Sequence, residues 1–157
     1  MNLTLEDAVK EMMEKLAKKV PAIHKKEPVN LYIAGGIAIY FHTASRVSKD
    51  VDAIIDRDID IPRKLSVLWL NENGEFEELE FDKNYSDTLG IMHEDYDKRA
   101  IHKFTIDSRL KVHVLSPVDL VISKLARFVE QDQQDIKSII MNDLVDKKSL
   151  RYLQKML

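Results

Sequence analysis

Two aspartates one residue apart, Asp50 and Asp52, are the side chains in this sequence whose type and spacing best suit chemistry. They begin an apolar run that continues through Ile55, which is typical of a β-strand. Because side chains two apart on a strand point to the same face, the two carboxylates are predicted to project together, a little over ~6 Å apart along the strand. Paired hard oxygen ligands of this kind are typical of a Mg²⁺ site.

A glycine pair, Gly35-Gly36, ends the preceding apolar run and holds two of the four glycines in the chain. Backbone N–H groups at such a turn can approach a phosphate closely. Arg46 and Ser48 add a cation and a hydroxyl just before the aspartates. Glycine pairs often only make turns, and aspartates on edge strands are often solvated, but the apolar residues 53–55 predict a buried strand. Together these residues predict a Mg²⁺–nucleotide site.

Composition indicates one ordinary globular domain of 157 residues with a formal net charge of −3, so a globally basic nucleic-acid surface is not indicated. The absence of cysteine rules out disulfides and thiolate metal sites, and it is compatible with a cytoplasmic protein. The sequence contains no run of about 18 apolar residues, so no membrane span is predicted. The amphipathic, mixed-charge N-terminus does not resemble a signal peptide.

Hydrophobic periodicity predicts an α/β domain with helices at both ends. The predicted helices cover 4–20, 36–43 and a long segment from Pro117, with Ser116 as its N-cap and a break near 142–143. The predicted strands are 30–34, 51–55, 76–81, 101–106 and 110–115. The stretch 63–71 is ambiguous, and we expect a helix there.

The last long helix carries a second group of polar residues. On an unbroken helix Lys124, Arg127, Gln131 and Asp135 fall on one face, opposite an apolar stripe. That face is either simply solvated or directed at a ligand. In the second reading Lys124 and Arg127 approach a triphosphate, Asp135 holds one of the basic groups, and Lys124 serves the ligand rather than stability.

These motifs, taken in order, resemble those of the nucleotidyltransferase-fold proteins, and most closely the branch related to the AbiEii abortive-infection toxins. The resemblance covers most of residues 28–141. It rests on these segments: GG-IAIYFH-TASRVSKDVDAII from Gly35, NYSDTLG from Asn84 with His93-x-Asp95-Tyr96, and SPVDL from Ser116 with KLARF and DQQDI.

The resemblance implies a polymerase-β-type nucleotidyltransferase fold, with a mixed β-sheet flanked by helices, in a single domain spanning 1–157. The expected parts are a core at 28–141, an N-terminal helix at 4–20 and a C-terminal helical segment at 117–157. By position in the motif, Gly35 and Gly36 would cradle phosphates, and Asp50 and Asp52 would hold Mg²⁺ or Mn²⁺. Lys124 would contact the triphosphate or assist proton transfer.

The activity implied is transfer of a nucleoside monophosphate from an NTP to a hydroxyl of RNA, such as tRNA, or of a protein. The same resemblance implies a toxin-like enzyme of a toxin–antitoxin or phage-defence system, with an antitoxin partner. The alternative is a catalytically weak binding or regulatory protein that keeps the fold. In that case a helical partner could dock on the N-terminal helix at Met12-Met13.

One departure from the family pattern concerns a third carboxylate, which active members carry on a later strand. On the strand at 110–115 the inward position is His113, and Asp107 precedes it. Three possibilities stay open: Asp107 is the third ligand, His113 acts as the base, or the site does little chemistry.

Overall fold

A computed structural model describes residues 2–21, 26–45, 47–85, 92–125 and 128–155. Within these ranges the strands are β1 (Val29–Ala34), β2 (Asp50–Ile55), β3 (Ser66–Leu70), β4 (Phe76–Asp82), β5 (Ile101–Ile106) and β6 (Leu110–Val114). The helices are α1 (Leu5–Ala17), α2 (Gly35–Thr43), α3 (Tyr96–Arg99), α4 (Pro117–Leu125), α5 (Glu130–Met141) and α6 (Lys147–Gln154). None of them is long and apolar enough to cross a membrane.

The six strands form one mixed sheet in the order β3-β4-β2-β1-β6-β5. β1 is antiparallel to β2 and parallel to β6, and β2 is parallel to β4. Cross-strand partners point to the same face, so the pairing fixes which side chains meet. One face is closed by apolar residues such as Leu31, Val51 and Val112, all fully buried. The other face carries Asp52 and Asp82, and we call it the open face.

Helix α1 helps to close the apolar face of the sheet. Its N-cap is Thr4, whose Oγ1 accepts a hydrogen bond from the N–H of Asp7 at 3.0 Å. Met12 and Met13 are completely buried in the same core as the sheet. The idea that this methionine pair offers a docking surface for a partner helix is therefore wrong, because the protein's own sheet covers it.

Two predictions about secondary structure are also wrong. The segment that we expected to be helical contains β3, whose Val67 and Trp69 are buried while Leu68 between them is 58% exposed. Pairing with β4 makes this segment a strand, although its local pattern was ambiguous and we expected a helix. The long C-terminal helix is divided into α4 and α5, and Phe128 between them has a positive φ of 49°.

Candidate active site

A pair of carboxylates, Asp52 and Asp82, forms the centre of the candidate site on the open face. The register of β2 and β4 places the two residues directly opposite each other, within hydrogen-bonding reach. Partial burial, followed by the charges of Asp82 and Asp50 and the hydrogen bond with Asp82, raises the pKa of Asp52 to about 6. Among the described residues, the charge of Lys124 opposes this rise. The carboxyl of Asp52 can therefore exchange a proton near neutral pH.

Gly35 lies against the carboxylate of Asp52. Its φ of +59° is in the left-handed region, and a Cβ there would overlap Asp52 Oδ2 and lie 3.1 Å from Cγ. Gly35 and Gly36 also begin α2, where the first backbone N–H groups have no partner within the helix. The positive end of a helix beside two carboxylates can accept the phosphates of a metal-bound nucleotide.

Asp50 lies two residues before Asp52 on β2, on the same open face, and its side chain is exposed. Ser48 supports the start of the strand, because its Oγ donates to the carbonyl of Asp50 at 3.2 Å and lies 3.4 Å from its N–H. The hydroxyl therefore has a local structural role. Arg46 and Arg127 lie outside the described residues, as does most of the NYSDTLG motif.

Lys124 is buried rather than on a solvated polar face. Its Nζ lies 2.8 Å from Asp135 Oδ2 and 3.5 Å from Asp132 Oδ1, and both aspartates are also buried. Asp132 further accepts from the N–H of Val129 at the start of α5. Lys124 thus joins α4 to α5 across the break between them. The structure brings Lys124 close enough to Asp52 for its charge to matter, and it also gives Lys124 a structural function.

His113 lies on the open face but away from the carboxylate pair. Its ring stacks on Tyr32 at 4.9 Å, and its Nε2 lies 2.9 Å from Asn30 Oδ1. Burial, assisted by the charges of His102 and Lys111, lowers its pKa. The register sets it two strands and two residues from Asp52, or about 12 Å between Cα atoms.

Asp107 lies at the far end of the sheet from Asp52. It occupies the turn before β6, at φ 51°, and pairs with Arg109 Nε at 3.0 Å. β6 starts beside Val29, whereas Asp52 pairs with Ala34 at the other end of β1, about 16 Å away. The structure therefore brings neither Asp107 nor His113 to the carboxylate pair.

Sequence reasoning missed Asp82. The alternation predicts a strand that ends at Phe81, and Asp82 is the next residue. The one signal in the sequence is an aspartate directly after a predicted strand. That signal becomes specific only when β4 is known to pair with β2 in parallel, which no local pattern encodes.

The donor chemistry of this site fits a divalent cation such as Mg²⁺. Asp52 and Asp82 offer hard carboxylate oxygens, and a bound cation would relieve the mutual repulsion that raises the pKa of Asp52. Within the described part of the chain, no three His, Cys, Asp or Glu side chains are already gathered as a metal-binding group. The pair, together with the exposed Asp50 on the same face, provides the carboxylates that could hold such an ion.

Comparison with known proteins gives the family. The family model described as "Nucleotidyltransferase of unknown function (DUF6036)" matches residues 8–157. Among solved structures, an antigenic nucleotidyltransferase-like protein from Paracoccidioides brasiliensis is similar in fold, with a TM-score of 0.50 and 18% sequence identity, covering 90% of this chain and 78% of that chain. No curated protein matches. Because the family model spans nearly the whole chain, the protein belongs to this nucleotidyltransferase family.

Proposed function

We propose that the protein is a Mg²⁺-dependent nucleotidyltransferase that moves a nucleoside monophosphate from an NTP to an acceptor hydroxyl. The observation that carries the proposal is the placement of Asp52 and Asp82 together against Gly35, at the N-terminus of α2. This arrangement puts cation ligands beside backbone donors for phosphate. Family membership and fold favour the same class of reaction.

Each group of the site has a part in this reaction. Asp52 and Asp82, with Asp50, would hold Mg²⁺, which supplies positive charge to offset the charge that builds up on the phosphates. Backbone N–H groups at Gly35 and Gly36 would orient the triphosphate.

In this proposal Lys124 acts on Asp52 through its charge and not as a direct phosphate ligand. Its ammonium is held by Asp132 and Asp135, so it is not a freely moving phosphate ligand. Its positive charge lowers the proton affinity of Asp52 and thereby favours the ionised, cation-binding form. Direct contact between Lys124 and the triphosphate would require the ion pair with Asp135 to open.

The alternative of a catalytically weak binding protein depended on the lack of a third carboxylate. Asp82 supplies a carboxylate at the centre of the site, so this reason no longer applies. The toxin-like role, the antitoxin partner and the protein or tRNA acceptor remain predictions from the resemblance to the AbiEii branch. Growth arrest on expression, relieved by substitution of Asp52, would support the toxin-like role.

Calorimetry with a non-hydrolysable NTP analogue tests the proposed function. Wild-type protein should bind the analogue with Mg²⁺ and lose most of that affinity with EDTA. Asp52→Asn and Asp82→Asn should each reduce Mg²⁺-dependent binding, whereas Asp97→Asn, an exposed control on α3, should not. Equal Mg²⁺-dependent affinity in all four proteins would refute the assignment of the site.

A further inference from the structure

Two histidines lie side by side on the open face, at the edge of the sheet that β5 and β6 form. His102 on β5 and His113 on β6 are direct cross-strand partners, and their ring centroids are 5.4 Å apart. Cross-strand partners project to the same face of a sheet. In the order of strands, β1 lies between β6 and β2, so the histidine pair is separate from the carboxylate pair on β2 and β4. The proposed transfer reaction uses neither ring.

A chain of hydrogen bonds to Asp56 sets the tautomer of His113. The Nδ2 of Asn30 donates to Asp56 Oδ2 at 2.9 Å, and the backbone N–H of Asn30 donates to Asp56 Oδ1 at 2.9 Å. Because an ionised carboxylate only accepts, Asn30 must turn its Oδ1 toward His113, where it lies 2.9 Å from Nε2. An amide oxygen also only accepts, so Nε2 of His113 carries a proton. In the neutral ring the lone pair is then at Nδ1.

His102 is anchored at the corresponding ring nitrogen. Its Nε2 lies 2.9 Å from Thr105 Oγ1, a hydroxyl that can accept the ring proton. Neither histidine has a hydrogen-bond partner at Nδ1 among the described residues. A histidine that binds a metal through one nitrogen typically donates a hydrogen bond from the other, which fixes the ring. Asn30 and Thr105 supply that second contact here, so each Nδ1 is available as a ligand.

The separation of the two rings fits a shared tetrahedral metal ion. A histidine nitrogen binds Zn²⁺ at about 2.0–2.1 Å, and the centre of the ring lies about 1 Å further from the metal. Two rings at the tetrahedral angle then have centres about 5 Å apart. The observed separation of 5.4 Å is close to this value. One ion can therefore bind both rings with the two strands as they stand.

The charges around the histidine pair have both signs. Lys111 lies two residues from His113 on the same face of β6, and its charge opposes the binding of a cation. Asp56 and Asp97 favour a cation, because both act electrostatically on Tyr32, whose ring stacks on His113. Imidazole nitrogen suits Zn²⁺, Cu²⁺ and Ni²⁺, whereas Mg²⁺ prefers oxygen. The donor atoms therefore select a cation different from the one proposed for the carboxylate pair.

We propose that His102 and His113 form a second metal site, which binds one transition-metal cation of the Zn²⁺ type through the two Nδ1 atoms. Within the described residues no third His, Asp or Glu side chain is gathered there, so water completes the coordination. The site differs from the carboxylate pair in its place on the sheet and in its donor atoms. It does not depend on the proposed function.

Calorimetric titration with Zn²⁺ tests the site, on the chain without a polyhistidine tag and in excess Mg²⁺. Wild-type protein should bind one Zn²⁺ in the micromolar range. His102→Gln should weaken binding about tenfold or more, and His113→Gln should do the same. His102 is exposed, so His102→Gln should unfold in urea as the wild type does. His42→Gln is the matched control, at a ring that bonds the carbonyl of Leu115, and should change the affinity less than about twofold.

Electron paramagnetic resonance with one equivalent of Cu²⁺ distinguishes the histidine pair from the carboxylates, because only imidazole supplies nitrogen donors. Wild type and Asp52→Asn should both show coupling to two imidazole nitrogens, and His102→Gln should show one. Three results would overturn the inference. They are no Zn²⁺ binding at millimolar concentration, equal Zn²⁺ affinity in wild type and His102→Gln, and a wild-type spectrum with fewer than two coupled nitrogens.

Discussion

Two pairs of carboxylates in this protein have opposite charge environments. Asp132 and Asp135 are 1% and 2% exposed, and Lys124 lies between α4 and α5 at ion-pair distance from both. Asp52 and Asp82 are half-buried, and within the described residues no basic side chain lies at ion-pair distance from them. The first pair carries its own cation, as expected of a structural cluster. The second pair has no such partner among the described residues, as the proposed Mg²⁺ site would require.

The largest expected effect is on activity. Asp82→Asn keeps the shape of the carboxylate but removes its charge, so we expect loss of about 10²-fold or more in nucleotidyl transfer. Asp135→Asn should cost far less activity, because Asp135 lies against Lys124 and not in the carboxylate pair. The rate of label transfer from α-labelled NTP, measured for both variants, shows which carboxylate pair matters more for activity. A larger loss in Asp135→Asn would reverse their assigned roles.

The next effect is on stability. Lys124→Ala removes the ammonium group that lies between two buried carboxylates, and we expect it to destabilise the protein by about 3 kcal/mol. Lys98→Ala removes an ion pair of similar length, 2.9 Å to Asp95, but on an exposed surface. Its unfolding midpoint in urea should hardly change. Similar midpoints for the two variants would show that the buried cluster is not structural.

Alanine substitutions at two glycines with positive φ distinguish the cost of backbone strain from the cost of a contact with Asp52. Gly74, at φ +76°, has nothing within 4 Å of an added Cβ, so Gly74→Ala should cost about 1 kcal/mol. Gly35→Ala has similar strain, and in addition its Cβ overlaps Asp52. We expect a cost of about 2 kcal/mol and loss of Mg²⁺–NTP binding. Urea unfolding measures the two stability costs, and calorimetry measures Mg²⁺–NTP binding. Equal stability and equal binding in the two variants would contradict the prediction.

The smallest effect depends on pH. The pKa of Asp52 rises from 3.8 to about 6 on folding, so the native state binds the proton more tightly than the unfolded state. The resulting penalty is present above pH 6 and disappears below about pH 4. Asp52→Asn should therefore be more stable than wild type by about 1–2 kcal/mol at pH 8, after allowance for partial solvent exposure. No gain should remain at pH 4. An equal difference at both pH values would contradict this.

The β1–α2–β2 unit could be predicted from sequence because its parts are local. Apolar runs, a glycine pair and aspartates two apart all lie within 31–56, where period and turn chemistry are directly readable. The alternation in β6 likewise placed Val112 and His113 on opposite faces, as observed.

The remaining parts of the site depend on pairing between distant segments. Asp82 reaches Asp52 through a parallel pairing of strands about 30 residues apart, which no local pattern specifies. Lys124 was predicted on a polar face, either solvated or directed at a ligand. Helical periodicity cannot show that the chain breaks after 125 and that α5 brings Asp132 and Asp135 to Lys124. The same limit explains β3, since pairing with β4 rather than local composition makes it a strand.

The central claim is that the carboxylate pair, which has no basic side chain at ion-pair distance among the described residues, is completed by the proposed Mg²⁺. Carboxyl-carbon NMR titration of Asp52, with and without Mg²⁺, tests it most directly. We predict a pKa of about 6 in the free protein and a clear decrease when Mg²⁺ is added. In Asp82→Asn the starting pKa should already be lower, because a neighbouring charge is gone. Titration of Asp52 near 4, unchanged by Mg²⁺, would contradict the claim.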